Sequence, residues 1–375
     1  MDTKQHKRHK EKLDEMVLTM PFYVVEYIDD KLDTRSPSTL LNYLHDYKMF
    51  FEWLIAEGIA KCETIKDIPL ETLEHLELDQ AKSFFKFLQR EDIQVSKKEK
   101  KKREKVSISR KISALRSLFS YLTTQTEIKE GNKKGEPYFY RNVMLKVEVT
   151  KVKETLSSRA SRMSGKIFHD DDDVKFIDFL KNGYEHCFTP GSKQLSYFKR
   201  DKLRDIAICS LFLGSGIRVN ELANLRLQDL DFKYSEINVI RKGGKKDTVA
   251  VTPPAMADLS VYLEVRNQIY NATDDETEYL FVSKRNNVPT PLSNEAIARL
   301  VKKYTKAFQG NKSISPHKLR HTYGTKLMEQ ENDIHLVMSQ LGHTSTTTAA
   351  LYVNPEKEKA RQAAARMGNR NKNKE

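Results

Sequence analysis

Six side chains able to hold anions or move protons stand in the second half of the chain: Arg218, Lys242, His317, Arg320, His343 and Tyr352. Arg218 follows the glycine at 216, and Glu221 stands three residues further on, the helical spacing at which a carboxylate can hold a guanidinium fork. Taken alone, that pair reads as a surface ion pair. His317-Lys318-Leu319-Arg320 puts a histidine and an arginine on one face of a helix opening at Pro316. His317 and His321 are also four apart, but Lys318 stands where a helical zinc motif carries its glutamate, and no Cys or carboxylate offers a third ligand, so no metal is expected. Leu341-Gly342-His343 sets a third histidine behind a helix-ending glycine, and Tyr352 follows nine residues later between Leu351 and Val353, where a lone tyrosine would normally be half-buried core.

Together these groups make a different set. Two arginines can clamp the non-bridging oxygens of a phosphodiester and stabilise charge in a pentacoordinate transition state. A lysine can protonate a leaving 5′ oxygen, which is otherwise a poor leaving group. Histidines can accept a tyrosine proton and hold the phosphate, and the tyrosine oxygen can form a covalent phosphoester that keeps the bond energy for religation. The chemistry implied is metal-free phosphoryl transfer on DNA, with no cofactor.

Several elements must position these groups. Residues 201–214 predict a buried helix ending in Gly-Ser-Gly. Residues 236–241 and 248–252 alternate as strands around Lys242-Gly243-Gly244-Lys245, a hairpin signal, and 279–283 predicts a third strand. Short helices are expected at 293–308, 316–330, 333–341, 345–352 and 355–367. The four aspartates 170–173 invite a metal reading, but they precede the apolar pattern of Val174, Phe176, Ile177, Phe179 and Leu180, so they are expected to cap a helix and face its positive end.

The first 147 residues have helical periodicity throughout. Leu40, Leu44, Tyr47, Phe51 and Leu54 fall at steps of four and three between Ser36-Pro37 and Gly58. Further helices are predicted at 21–32, 79–89 and 107–124, giving a bundle of four or five. Between the last two lies Lys97-Lys98-Glu99-Lys100-Lys101-Lys102-Arg103-Glu104-Lys105, a solvated loop or a phosphate-contacting one. Lys97, Lys98, Lys100, Lys101, Lys102 and Arg103, with Arg110, Lys111 and Arg116 on the helix behind, are the candidate DNA-binding residues. Residues 148–168 read as a linker, and 169–375 as the second domain.

Composition supports this division. The chain has 375 residues, 65 Lys+Arg against 52 Asp+Glu, 38% hydrophobic residues and only 14 Gly and 11 Pro, which fits a largely helical two-domain protein with an anionic polymer as partner. Its longest apolar stretch, around 206–214, is too short to span a membrane, and the charged start lacks a signal-peptide pattern. Three separated cysteines, Cys62, Cys187 and Cys209, leave no disulfide framework and point to a reducing, cytoplasmic compartment.

The order and spacing of these motifs resemble the tyrosine recombinase (phage integrase) family across nearly the whole chain. The resemblance implies a mainly α fold with a small β-sheet in the C-terminal part: a helical core-binding, SAM-like domain over 1–147 and a catalytic domain over 169–375, closing around duplex DNA like a C-clamp. It makes Arg218 and Arg320 the clamp, Glu221 the support of the first arginine, Lys242 the general acid, and His317 and His343 the phosphate-site histidines. Tyr352 becomes the nucleophile that forms a 3′-phosphotyrosyl link. Met20-Pro21-Phe22-Tyr23, Phe51-Glu52-Trp53-Leu54, Ile112-Ser113-Ala114-Leu115 and Glu136-Pro137-Tyr138-Phe139 are similar to the single-recombinase Xer type. That type implies resolution of chromosome dimers at a dif-like double-stranded site in cell division, activation by the FtsK translocase, and a homotetramer on two DNA sites with helix 355–367 docking onto a neighbour. It implies no membrane and a nucleoid-associated place in the cytoplasm. Rival readings are the integrase of a phage or conjugative element, a non-catalytic DNA-binding protein on the same scaffold, and a monomeric type IB topoisomerase.

Overall fold

The computed structural model describes residues 4–96, 99–148, 167–241, 243–273, 278–310 and 312–343. The chain divides into two compact units, Met1–Lys153 and Glu154–Glu375. Each has its own apolar core.

The first unit is helical. The predicted helices are α2 (Phe22–Lys31), α3 (Pro37–Ala56), α5 (Leu78–Arg90) and α6 (Lys105–Thr124), and the structure adds α1 (Lys4–Val17) and the short α4 (Leu70–Glu74). Proline at the first turn starts α3, where its missing N–H costs nothing. The stripe of Leu40, Leu44, Tyr47, Phe51 and Leu54 is buried against Phe84, Leu115 and Phe119, and the Tyr47 hydroxyl donates to the Ala114 carbonyl at 3.0 Å. A reciprocal cap opens α5, with the Glu77 N–H donating to the Gln80 side chain at 2.9 Å. Of the basic run expected as a loop, Glu99–Lys102 form β2 of a hairpin, paired antiparallel with β1 (Asp92–Ser96). Backbone pairing of Ile93 with Lys101 and Gln94 with Lys100 orders a segment whose charge alone predicted solvation.

The second unit opens with α7 (Asp172–Asp178), which runs into a π turn, Phe179–Gly183. Asp172 and Asp173 do sit in its first turn, but Asp171 makes no side-chain cap, and the Asp173 carboxylate pairs with Lys326. The long helix α8 (Lys193–Ser215) is the centre of the unit and packs on α10 (Pro253–Tyr270) and α12 (Pro316–Glu331). It ends on Gly216 at φ +65°, where a Cβ would lie 2.7 Å from the Leu341 side chain; only glycine permits both the turn and the contact. Then come α9 (Val219–Ala223), α11 (Asn294–Phe308) and α13 (Ile334–Leu341).

The sheet is β3-β4-β5, antiparallel, with β3 Leu230–Asp231, β4 Glu236–Ile240 and β5 Lys246–Ala250. Ile237 pairs with Val249, and both face the core with Val239. The third strand differs from the expectation. Residues 279–281 do not join this sheet: Arg266, itself buried, donates to the Tyr279 carbonyl at 2.6 Å and the Leu280 carbonyl at 3.1 Å, taking acceptors a ladder would use. Val282 instead begins a separate hairpin, β6 (Val282–Arg285) with β7 (Val288–Pro291). The predicted helices at 345–352 and 355–367 lie outside the described residues. Among the described residues, no helix is long and apolar enough to cross a membrane.

Candidate active site

Glu221 is the hub of the site. It is the third residue of α9, and its burial removes the surface ion-pair reading. Its Oε2 accepts the Arg218 backbone N–H at 2.7 Å, and its Oε1 accepts Arg218 Nη1 at 2.8 Å. Arg241 Nη1 donates to Oε2 at 3.1 Å, and Arg320 Nη1 stands 3.9 Å from it. Three guanidiniums therefore surround one carboxylate, which offsets part of their mutual repulsion.

The arginines differ in exposure. Arg218, with its side chain 36% exposed, also donates to the Gly342 carbonyl at 3.1 Å. Arg320 is buried, donating to the Gly216 carbonyl at 2.8 Å and to the Leu341 carbonyl. It ties the end of α8 to the end of α13. Leu341-Gly342-His343 closes α13 with Gly342 at φ +58°, and the His343 N–H donates to the Met338 carbonyl at 2.9 Å.

His317 lies in the first turn of α12, with its Nε2 3.0 Å from Nε2 of His321 and the rings edge to face. Burial and then the neighbouring Arg320 lower the pKa of His317. The same causes bring His343 to about 4, with Arg218 and His317 adding to the effect. Both imidazoles are neutral at pH 7 and able to accept a proton. His321 is driven down to about 3, by burial first and His317 second.

Five of the residues singled out by sequence (Arg218, Glu221, His317, Arg320 and His343) are thus joined through α8, α9, α12 and α13. Lys242 and Tyr352 lie outside the described residues. The turn that carries Lys242 is flanked as its glycines predict: Gly243 and Gly244 have φ +85° and +80°, and the Arg241 N–H donates to the Lys245 carbonyl at 2.7 Å. Two members went unread as site residues. Arg241 is one basic residue among several around a turn, and His321 enters from the sequence only as a possible zinc ligand. The helical spacing of four from His317 was the signal for His321; for Arg241 there was none short of the fold.

The candidate DNA-binding residues are scattered in their surroundings. Lys97 and Lys98 lie outside the described residues, and Lys100 is on β2. Lys101 pairs with Glu104 at 3.2 Å, Lys102 is exposed, and Arg103 donates to Glu91 at 2.7 Å. Arg110 is exposed and bonds Asp46 at 2.6 Å. Lys111 does not lie on the outer face expected for it; it is buried on Asp46 at 2.7 Å, since its helix turns that position into the core. Arg116 is also engaged internally, donating to the carbonyls of Met144 at 3.0 Å and of Val147.

The phage integrase family model matches residues 192–359. The tyrosine recombinase XerS of Streptococcus mutans is 40% identical over 354 residues, covering 93% of this chain and 97% of the relative. XerS of Lactococcus lactis is 41% identical over 345 residues, covering 91% and 94%. Among solved structures, XerH bound to its difH substrate before cleavage matches with a TM-score of 0.58 at 18% identity, over 86% of this chain and 78% of that one. A lambda integrase dimer bound to a COC′ core site matches with a TM-score of 0.53 at 16% identity, over 89% and 95%. These two share the fold: a helical N-terminal unit and a catalytic unit with small sheets. By its likeness to the XerS enzymes along nearly its whole length, and by the motif set gathered at Glu221, the chain belongs to the phage integrase family, as a site-specific tyrosine recombinase.

Proposed function

We propose that this recombinase resolves chromosome dimers at a dif-like site, using Tyr352 as nucleophile. In cleavage the Tyr352 hydroxyl gives its proton to a neutral histidine of the His317/His343 pair while its oxygen bonds to phosphorus. The P–O5′ bond breaks, and the leaving oxygen takes a proton from the Lys242 ammonium. Arg218, from its exposed side, and Arg320, by exchanging a carbonyl for a phosphate oxygen, hold the two non-bridging oxygens. Religation runs the same steps in reverse with the 5′ hydroxyl of the partner strand, so no external energy source enters.

The observation that carries this reading is the convergence on Glu221 of Arg218, Arg320 and, through Gly342, the histidine turn, from segments more than a hundred residues apart in part. Two domains, a core-binding one up to 147 and a catalytic one from 169, would grip the duplex, with Lys100, Lys101, Lys102 and Arg110 reaching phosphates. We further propose a working unit of four protomers on two sites in the nucleoid, under the control of FtsK. On a nicked suicide substrate, Tyr352→Phe is expected to bind and leave no covalent adduct; an adduct from this variant would remove Tyr352 from the role. Sequencing the DNA trapped covalently in the host tests the target: a single dif-like site is expected, and the ends of a mobile element would overturn dimer resolution.

A further inference from the structure

Arg241 stands immediately before Lys242 in the sequence and at the root of the glycine turn, where its N–H meets the Lys245 carbonyl at 2.7 Å and its carbonyl accepts the Gly244 N–H at 3.1 Å. Its side chain is 9% exposed, and each nitrogen has a different partner. Nε donates to Asp247 Oδ2 at 2.8 Å, Nη1 to Glu221 Oε2 at 3.1 Å, and Nη2 to the Gln340 carbonyl at 2.9 Å. One planar group thus connects the hairpin, the carboxylate beneath Arg218, and the turn that presents His343. The space for it is kept by Gly342, where a Cβ would lie 2.7 Å from Nε and 2.9 Å from Cζ of Arg241. A lysine cannot reproduce three directed bonds in one plane.

We propose that Arg241 is a positioning residue for proton delivery: it fixes the root of the 241–245 turn against Glu221 so that its neighbour Lys242 reaches the leaving 5′ oxygen, and through Gln340 it keeps this registration with His343. The inference rests on the proposed general-acid role of Lys242. The transferred proton is the lysine's; Arg241 remains a guanidinium throughout. Its effect lies in placement, and a displacement of about 1 Å in a reacting group can cost on the order of 10²-fold in rate. Asp247, more open to solvent than Glu221, holds the same guanidinium from the hairpin side.

The test compares two leaving groups in the full-length protein. Single-turnover adduct formation is measured on suicide substrates with an ordinary 5′ bridging oxygen and with a 5′ bridging sulfur, which leaves without a proton. Lys242→Ala should be slow on oxygen and restored on sulfur. Arg241→Lys should follow it, slowed by roughly 10- to 100-fold on oxygen and within a few-fold of the parent on sulfur. Asp247→Asn should show the same pattern more weakly. General damage to the fold would slow both substrates alike. So if sulfur restores Lys242→Ala but neither Arg241→Lys nor Asp247→Asn, Arg241 has only a structural role and the inference falls. If sulfur fails to restore Lys242→Ala, the general-acid reading itself falls, and the inference with it.

Discussion

Replacing Glu221 by glutamine keeps the shape of the hub and removes its charge. The carboxylate now accepts from the Arg218 main chain, from Arg218 Nη1 and from Arg241 Nη1 at 2.7, 2.8 and 3.1 Å, with Arg320 Nη1 at 3.9 Å. In Glu221→Gln one of those oxygens becomes an NH2 that faces a guanidinium, donor against donor. Stranding a buried charge costs about 3–5 kcal/mol. The exposed Arg218 side chain is screened by water, so the low end, about 3 kcal/mol, is expected for stability. Arg218 also loses the fork that orients it. If about 2 kcal/mol of that orientation acts in the transition state, cleavage slows by roughly 30-fold. The assay pairs the urea midpoint with single-turnover adduct formation on a nicked substrate, using Glu221→Asp as the variant that keeps charge but loses reach. Glu221→Gln with a parental midpoint and a parental rate would refute the hub.

The basic hairpin is tested by salt. If Lys100, Lys101 and Lys102 touch phosphates, changing all three to serine should reduce the slope of log K against log salt by ~0.9 per lost contact, equally on specific and random DNA; an unchanged slope leaves the grip to other surfaces. Acid should weaken the free protein. His321 titrates near 6.5 unfolded but is brought to about 3 in the fold, so between those values the unfolded chain binds a proton that the folded one does not, and stability falls as pH falls. From pH 7 to 5 His321 contributes about 2 kcal/mol of that loss, beside the separate contribution of His343, read as a lower unfolding midpoint. His321→Gln should flatten that fall, and an equally steep one would show that the burial of His321 is not its source.

Much of this was readable because periodicity and glycine report directly on backbone geometry. The stripe from Leu40 to Leu54 marked α3, and Gly243-Gly244 marked the turn. The failures share a cause, in that local text does not state where a long polar side chain ends up. Lys111 looked like one cation on a basic face, yet Asp46, distant in sequence, draws it into the core. Tyr279-Leu280-Phe281 is apolar like a buried strand, but Arg266 occupies the carbonyls of Tyr279 and Leu280. Helix α1 offers few apolar positions and is anchored by Leu13. In the site, the order of Arg218, His317, Arg320 and His343 was legible as a set, whereas Arg241 becomes visible only once three elements meet around it.

The bonds from Arg116 to the carbonyls of Met144 and Val147 bear on where the polypeptide can be shortened. They fasten the turn Val143–Lys146 to α6, and Val143, Met144 and Val147 are buried with it. A chain ended beyond Val147 keeps this seal. One ended before Val143 opens the apolar floor of the first unit to water and leaves the Arg116 guanidinium facing empty space. The minimal fragment of that unit is therefore set by a hydrogen-bonded clasp, some twenty residues past the end of its last helix.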